Sequence, residues 1–170
     1  MRVDFSDWYV DQPGLLARQF VYSEMAGSRD LEMQVLVNVE PGPYSVQTFV
    51  AIKLSDFDLP RQAALRLSLQ PMDGMTAPEV MSAIGMPEVH PRVLIKLVGP
   101  DDARKFVGMF SRGKEMHFGL HGADGEPLMR LPLPNDSKFW TAYSAKYDQA
   151  LPGENKLGLK ERLSRIFLRA

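Results

Sequence analysis

The sequence has no cysteine, which excludes disulfides, thiolate zinc sites, iron–sulfur clusters and cysteine nucleophiles outright. The same absence leaves the redox compartment open, because a chain without thiols survives in reducing and oxidising surroundings alike. Only three histidines occur among 170 residues, so few side chains titrate near neutrality or serve as general bases. Long apolar runs are missing as well. The longest is Phe49-Val50-Ala51-Ile52, against the roughly 20 residues that a spanning helix needs, and no membrane-crossing segment is expected. The first residues turn acidic at Asp4 and Asp7 instead of running basic and then apolar as a secretory signal does. That start fits a cytoplasmic chain, or a periplasmic or cell-envelope protein written without its leader.

What is present is ordinary for a globular protein: 45% hydrophobic, 24% charged and 9% aromatic residues. A chain of this length buries roughly 70% of the surface its unfolded form exposes, enough for a core without staples. The net charge of -1 conceals an asymmetry. Residues 1–85 hold 6 Lys and Arg against 11 Asp and Glu, a net of -5, while residues 86–170 hold 14 against 10, a net of +4. Charge distribution bears on partners in a way the total does not.

The first third alternates apolar and polar residues with the period of two that a half-buried strand imposes. Strands are predicted over residues 7–11, 18–24, 31–39 and 46–54, separated by Gln12-Pro13-Gly14, by residues 26–30 and by Glu40-Pro41-Gly42-Pro43, which carry turn chemistry. Short strands joined this way predict an antiparallel meander. Residues 65–69 alternate as a further strand does, while the preceding Pro60-Arg61-Gln62-Ala63-Ala64 could equally open a short helix. Thr76-Ala77-Pro78-Glu79 has capping-box spacing, which predicts a short helix to Ile84 ended by Gly85.

A strand over residues 92–98 follows. A helix over residues 101–110 then places Ala103, Phe106, Val107 and Phe110 on one face, with Asp101 and Asp102 in its first turn where the dipole favours negative charge. Residues 114–121 and then Met129, Leu131 and Leu133 alternate around Gly122-Ala123-Asp124-Gly125, predicting a hairpin. Asn135 or Asp136 caps a helix to about Gln149, in which Phe139, Trp140, Tyr143 and Tyr147 recur at spacings of three and four.

The candidate chemistry is sparse. His117 and His121 would share an ion on a helix, but on a strand residues four apart are separated by about 13 Å, so the pair is read as surface strand residues. Convergence of His121 with Asp124 and Glu126 around the turn is the alternative. Met72, Met75, Met81, Met86 and His90 gather soft and borderline ligands within a short stretch, although methionine more often fills gaps in a core or a pliable binding surface. Asp101 with Asp102, and Asp56 with Asp58, are accounted for by a helix start and a turn. No nucleophile elbow, phosphate loop or dinucleotide fingerprint occurs. No catalytic residue, metal site or cofactor is assigned, and an enzyme working through His90, His117 or His121 is the competing class.

The most suggestive local feature is the C-terminal segment. From residue 154 to 169 it carries five basic against two acidic residues, and helical spacing sets Leu159, Leu163, Ile166 and Phe167 as an apolar stripe. Lys156, Lys160, Arg162, Arg165 and Arg169 flank that stripe. Such a helix docks on an acidic partner or an anionic membrane surface, or covers the domain's own core. The partner-binding candidates are therefore Lys156, Lys160, Arg162 and Leu163, with Arg165, Ile166, Phe167 and Arg169. One short basic helix is a weak footprint for nucleic acid, and none is expected.

From Gly113 onward the order of features resembles the invasion-associated locus B family of bacterial extracytoplasmic proteins. The resemblance is carried by Arg112-Gly113-Lys114-Glu115-Met116-His117-Phe118, by Asp124-Gly125-Glu126-Pro127-Leu128, and by Leu131-Pro132-Leu133 leading into Phe139-Trp140-Thr141-Ala142-Tyr143. Asp7-Trp8-Tyr9-Val10 resembles the strand with which such domains begin. Members commonly carry pairing cysteines and an export signal, and this sequence departs from both patterns. The resemblance implies a β-sandwich-like core and a non-enzymatic role in the cell envelope or at a host surface, and contributes no catalytic residues.

The sequence thus predicts a β-rich α+β fold, an antiparallel β-sandwich or curled sheet of about seven to nine strands with several peripheral helices. Residues 1–152 form the globular domain and residues 153–170 a basic amphipathic helix, part of it or docked on it. Trp8, Phe20, Val35, Val37, Phe49, Ile52, Ile95, Phe106, Phe118, Leu131 and Phe139 are expected to be buried. The expected function is that of a non-enzymatic binding or accessory protein acting through protein–protein contacts, possible alternatives being a cytosolic or phage-encoded adaptor or inhibitor and the histidine-dependent enzyme. No oligomeric state is assigned.

Overall fold

The computed structural model describes residues 1–12, 15–23, 30–41, 46–59, 63–89 and 92–150. Among these described residues, ten strands and two helices follow one another as β1 (Arg2–Phe5), β2 (Tyr9–Gln12), β3 (Leu15–Ser23), β4 (Leu31–Pro41), β5 (Val46–Leu54), β6 (Ala63–Pro71), β7 (Glu79–Pro87), β8 (Val93–Leu97), α1 (Pro100–Phe110), β9 (Met116–Gly122), β10 (Pro127–Leu133) and α2 (Phe139–Ala150). The strands pair in the order β1-β3-β4-β5-β8-β7-β6-β9-β10, with β2 also on β3. The fold is therefore β-rich α+β, and its strands make one antiparallel, nearly closed sheet that is barrel-like rather than a clear sandwich.

The period of two decides which face of each strand is buried. Phe20, Val35, Val37, Ile52, Leu67, Met81, Ile95, Phe118 and Leu133 belong to one continuous core with the buried faces of both helices. α1 lies against β5, β7 and β8, and α2 against β3. Ala103, Phe106, Val107 and Phe110 are buried on α1 as the 3.6-residue period predicts. Asp102 in its first turn does more than favour the dipole, because its Oδ2 accepts the backbone N–H of Ser82 at 3.0 Å and ties α1 to β7.

Trp8 and Phe49 depart from the expected core, both being half-buried. Trp8 packs edge-on against Phe110 at 5.5 Å and Phe139 at 5.1 Å, joining the N-terminal segment to both helices. Phe49 lies on the opposite face of the sheet, beside the small patch of Ala17, Leu36 and Ala51. Lys96 Nζ stands 5.3 Å from its ring centre.

The helix predicted over residues 76–84 is strand β7 instead. Thr76 does not cap a helix: its hydroxyl donates to Asp73 Oδ2 at 2.6 Å, and Asp73 Oδ1 accepts the Thr76 N–H at 2.9 Å, closing the β6–β7 turn. These bonds hold the Asp73 carboxyl near 2, below its ordinary 3.8. After Pro78 the chain alternates, Met81, Ala83 and Gly85 inward and Val80, Ser82 and Ile84 outward, so the strand period overrides the local capping signal. Gly85 is no helix end. It faces the core, where an added Cβ would stand 2.6 Å from Leu59 Cδ1 and 2.8 Å from Leu65 Cδ1. Strand β1 is not among the strands predicted from the sequence, although Arg2-Val3-Asp4-Phe5 alternates polar and apolar residues; four residues are the shortest stretch over which that period signals a strand.

Candidate functional site

The hairpin of β9 and β10 builds the wall on which the histidines stand. Met116, Phe118 and Leu120 enter the core, so His117, Gly119 and His121 face the other way. On β6, Leu65, Leu67 and Leu69 are core residues, which turns Arg66, Ser68 and Gln70 to that same outer face. The register sets Gln70 opposite His117, Ser68 opposite Gly119 and Arg66 opposite His121. β7 continues the middle row with Val80 opposite Ser68, and β10 ends it with Arg130 opposite Gly119.

Gly119 makes the geometry of this face possible. A Cβ there would collide with Ser68 Oγ and stand 2.9 Å from His121 Nε2. In the space it leaves, Ser68 Oγ and His121 Nε2 make a hydrogen bond of 3.1 Å. Arg130 Nη2 lies 3.3 Å from His117 Nδ1 and donates to Gln70 Oε1 at 3.5 Å. A guanidinium only donates, which assigns Nδ1 of His117 as the acceptor and places the proton of the neutral ring on Nε2.

Around these groups lies a groove of about 390 Å³, within the size range of small-ligand sites. Its polar lining comprises Arg66, Arg130, His117, His121, Ser68 and Gln70, and its apolar lining includes Val80, Pro78, Pro127 and Met129. Among the described residues no aspartate or glutamate lines it, and neither arginine has a carboxylate within ion-pair distance. A second recess of about 420 Å³ at the ends of β3, β4 and β5 is lined by Asp30, Glu32, Asp56, Lys53 and Arg92. Its mixed charge favours neither sign of ligand.

The other candidates do not assemble. His117 and His121 share a face but bond to different partners, Arg130 and Ser68. Asp124 Oδ1 accepts the Glu126 N–H at 3.1 Å within the turn, and the described residues contain no group of three potential metal ligands. Met81 is buried in the core, while Met72 and Met75 are exposed, Met75 by 89%; they do not converge. Asp101 pairs with Arg104 across one helical turn at 3.8 Å. His90 and the basic segment containing Lys156, Lys160, Arg162, Leu163, Arg165, Ile166, Phe167 and Arg169 lie outside the described residues.

No protein-family model, curated protein or solved structure matches the chain. The groove therefore stands on its own geometry. Arg66, Ser68, Gln70 and Arg130 were missed in the sequence, although the alternation of residues 65–69 already sets Arg66 and Ser68 opposite the leucines. What the alternation lacks is the pairing of β6 with β9, a contact across 53 positions for Ser68 and His121.

Proposed function

We propose that this is a non-enzymatic binding or accessory protein of the cell envelope that acts through protein–protein contacts, using the outer face of β7, β6, β9 and β10. The observation that carries the proposal is the groove itself. Two arginines, two histidines and an exposed apolar side chain, Val80, are held on a four-stranded platform with no neutralising carboxylate among the described residues. Rigid strands fix such groups more closely than loops do, and an unpaired cationic face favours a partner of complementary charge. The envelope setting rests on the resemblance of residues 112–143 to the invasion-associated locus B family.

The test is a photo-crosslinking residue placed at Val80 in the full chain, with Glu32 at the other recess as control. A discrete adduct from position 80 that weakens at high salt, and none from position 32, is the expected result. No adduct, or the same adducts from both positions, would defeat the proposal.

The Ser68–His121 contact favours a second reading, in which the histidine activates the serine for acyl transfer. That arrangement needs a third group to orient the base, and no carboxylate among the described residues lines the groove. A fluorophosphonate separates the two readings. Covalent labelling of Ser68, abolished in Ser68→Ala, supports catalysis, and an unlabelled Ser68 supports binding alone.

A further inference from the structure

Taking the groove as the contact surface, we infer that pH regulates it through His117: the neutral ring holds the Arg130 guanidinium across β9, and protonation of the ring frees it. The contact is a diagonal one. Arg130 stands opposite Gly119, so its diagonal neighbours on β9 are His117 and His121. Glycine puts no side chain in the path from β10 to β6. Arg130 Nη2 therefore reaches Gln70 Oε1 at 3.5 Å, and His117 Nδ1 meets the same nitrogen at 3.3 Å.

Only one protonation state of the ring can make this contact. A guanidinium has donors and no acceptor, and a neutral imidazole accepts through one nitrogen. In the protonated ring both nitrogens are donors, so neither the present orientation nor a flipped one accepts from Arg130, and two like charges are left in contact. The bond that remains, to Gln70 at 3.5 Å, is long for an N–H···O bond and has a neutral acceptor. Histidine is the side chain whose charge changes between about pH 8 and pH 5. Among the described residues, the charged and titratable groups that share the groove with His117 are Arg66 from β6, Arg130 from β10 and His121 from β9, while β7 contributes the uncharged Pro78 and Val80. His121 is a different case from His117. Its partner is the Ser68 hydroxyl at 3.1 Å, which both donates and accepts, so that contact survives protonation. Acidification thus gives the groove an added charge and a freed guanidinium through one residue.

The experiment follows the ¹³C,¹⁵N-labelled full chain by NMR from about pH 8 to about pH 5. Long-range ¹H–¹⁵N correlations read the His117 tautomer, and carbon-detected ¹³Cζ–¹⁵Nη spectra read rotation of the Arg130 guanidinium. Expected at the upper end are an unprotonated Nδ1 in His117 and the two resolved Nη signals of a held guanidinium. Those signals should coalesce with the midpoint at which His117 takes up its second proton. His117→Gln, whose amide oxygen accepts at every pH, should keep them resolved throughout, and His117→Phe should merge them throughout. His121→Gln should leave the wild-type transition in place. A proton on Nδ1 of His117 at the upper end, Nη signals that never change, a transition that survives in His117→Gln or one that is lost in His121→Gln would overturn the inference. None of these readings needs a partner. If the transition is seen and position 80 yields no adduct, the His117 device stands and the binding function falls; if Arg130 does not respond and position 80 still crosslinks, the reverse holds.

Discussion

Arg18 and Asp136, 118 positions apart, form a bidentate ion pair, with Nη1 to Oδ1 at 3.0 Å and Nη2 to Oδ2 at 2.7 Å. Arg18 is wholly buried, on the same face of β3 as Leu16, Phe20 and Tyr22. Its Nε donates to the Ser6 carbonyl at 2.8 Å, and its guanidinium lies 4.6 Å from the Phe5 ring centre and 5.5 Å from that of Trp8. One side chain thus ties β3 to the N-terminal segment and to the start of α2, where Asp136 also accepts the Lys138 N–H at 3.1 Å.

Removing one partner of this pair should cost more than replacing the buried cation by a hydrophobe. Asp136→Asn leaves the buried guanidinium uncompensated and is expected to destabilise by about 3 kcal/mol. Arg18→Met, which fills the space without a charge, should cost less. Urea unfolding of the two variants measures the order, and equal losses would contradict it.

The same pair makes stability depend on acid. Its hydrogen bonds with Arg18 hold the Asp136 carboxyl below its ordinary 3.8, with the Lys138 N–H helping. A lowered folded-state value contributes stability that is fully present above the unfolded value, and is lost as pH falls from about 3.8 through the folded value. Melting temperatures followed from pH 6 downward should therefore drop less steeply below about pH 4 in Asp136→Asn than in the wild type.

Asp73 offers a local check on the reassigned β6–β7 turn. Its carboxyl lies near 2 chiefly because the Thr76 hydroxyl donates to it. Thr76→Val removes that donor, and the Asp73 midpoint, read from side-chain ¹³C shifts, should rise towards 3.8. A midpoint that stays near 2 would show that the turn is held by other contacts.

Two glycines differ in what surrounds them. At Gly113, φ is +69° and a Cβ would stand 2.7 Å from the Ser137 backbone nitrogen, so neither strain nor clash can relax through a side chain. At Gly85 the obstructing atoms are side-chain tips of Leu59 and Leu65, which yield at a cost of about 1–3 kcal/mol. Gly113→Ala should lower the unfolding midpoint more than Gly85→Ala.

Tyr22 is buried with its hydroxyl unpartnered among the described residues, and burial pushes its phenol well above the usual range. Deleting an unsatisfied polar atom of the same shape is close to neutral or stabilising. Tyr22→Phe should stay within about 0.5 kcal/mol of the wild type or exceed it, as measured by denaturant unfolding. A loss above about 1 kcal/mol would reveal a partner for the hydroxyl.

The sequence by itself determined the β-rich class and most of the elements, because period-two alternation and turn residues act over a few positions. It placed β3, β4, β5, β6, β8, the β9–β10 hairpin and both helices close to where they lie. It failed where a local signal competed with a strand. Thr76 and Glu79 mimic a helix start, yet the inward Met81, Ala83 and Gly85 gain burial only as a strand. β1 alternates polar and apolar, but over only four mostly exposed residues, the shortest stretch on which that period can be read.

Only the tertiary structure decided what lies across the sheet. The order β7-β6-β9-β10 brings Val80, Ser68, Gly119 and Arg130 into one row, and the fold buries Arg18 against Asp136. Strand parity is a property of a few consecutive residues. Strand neighbours and ion-pair partners depend on which distant segments bury their apolar faces together, so the groove exists only once the sheet has formed.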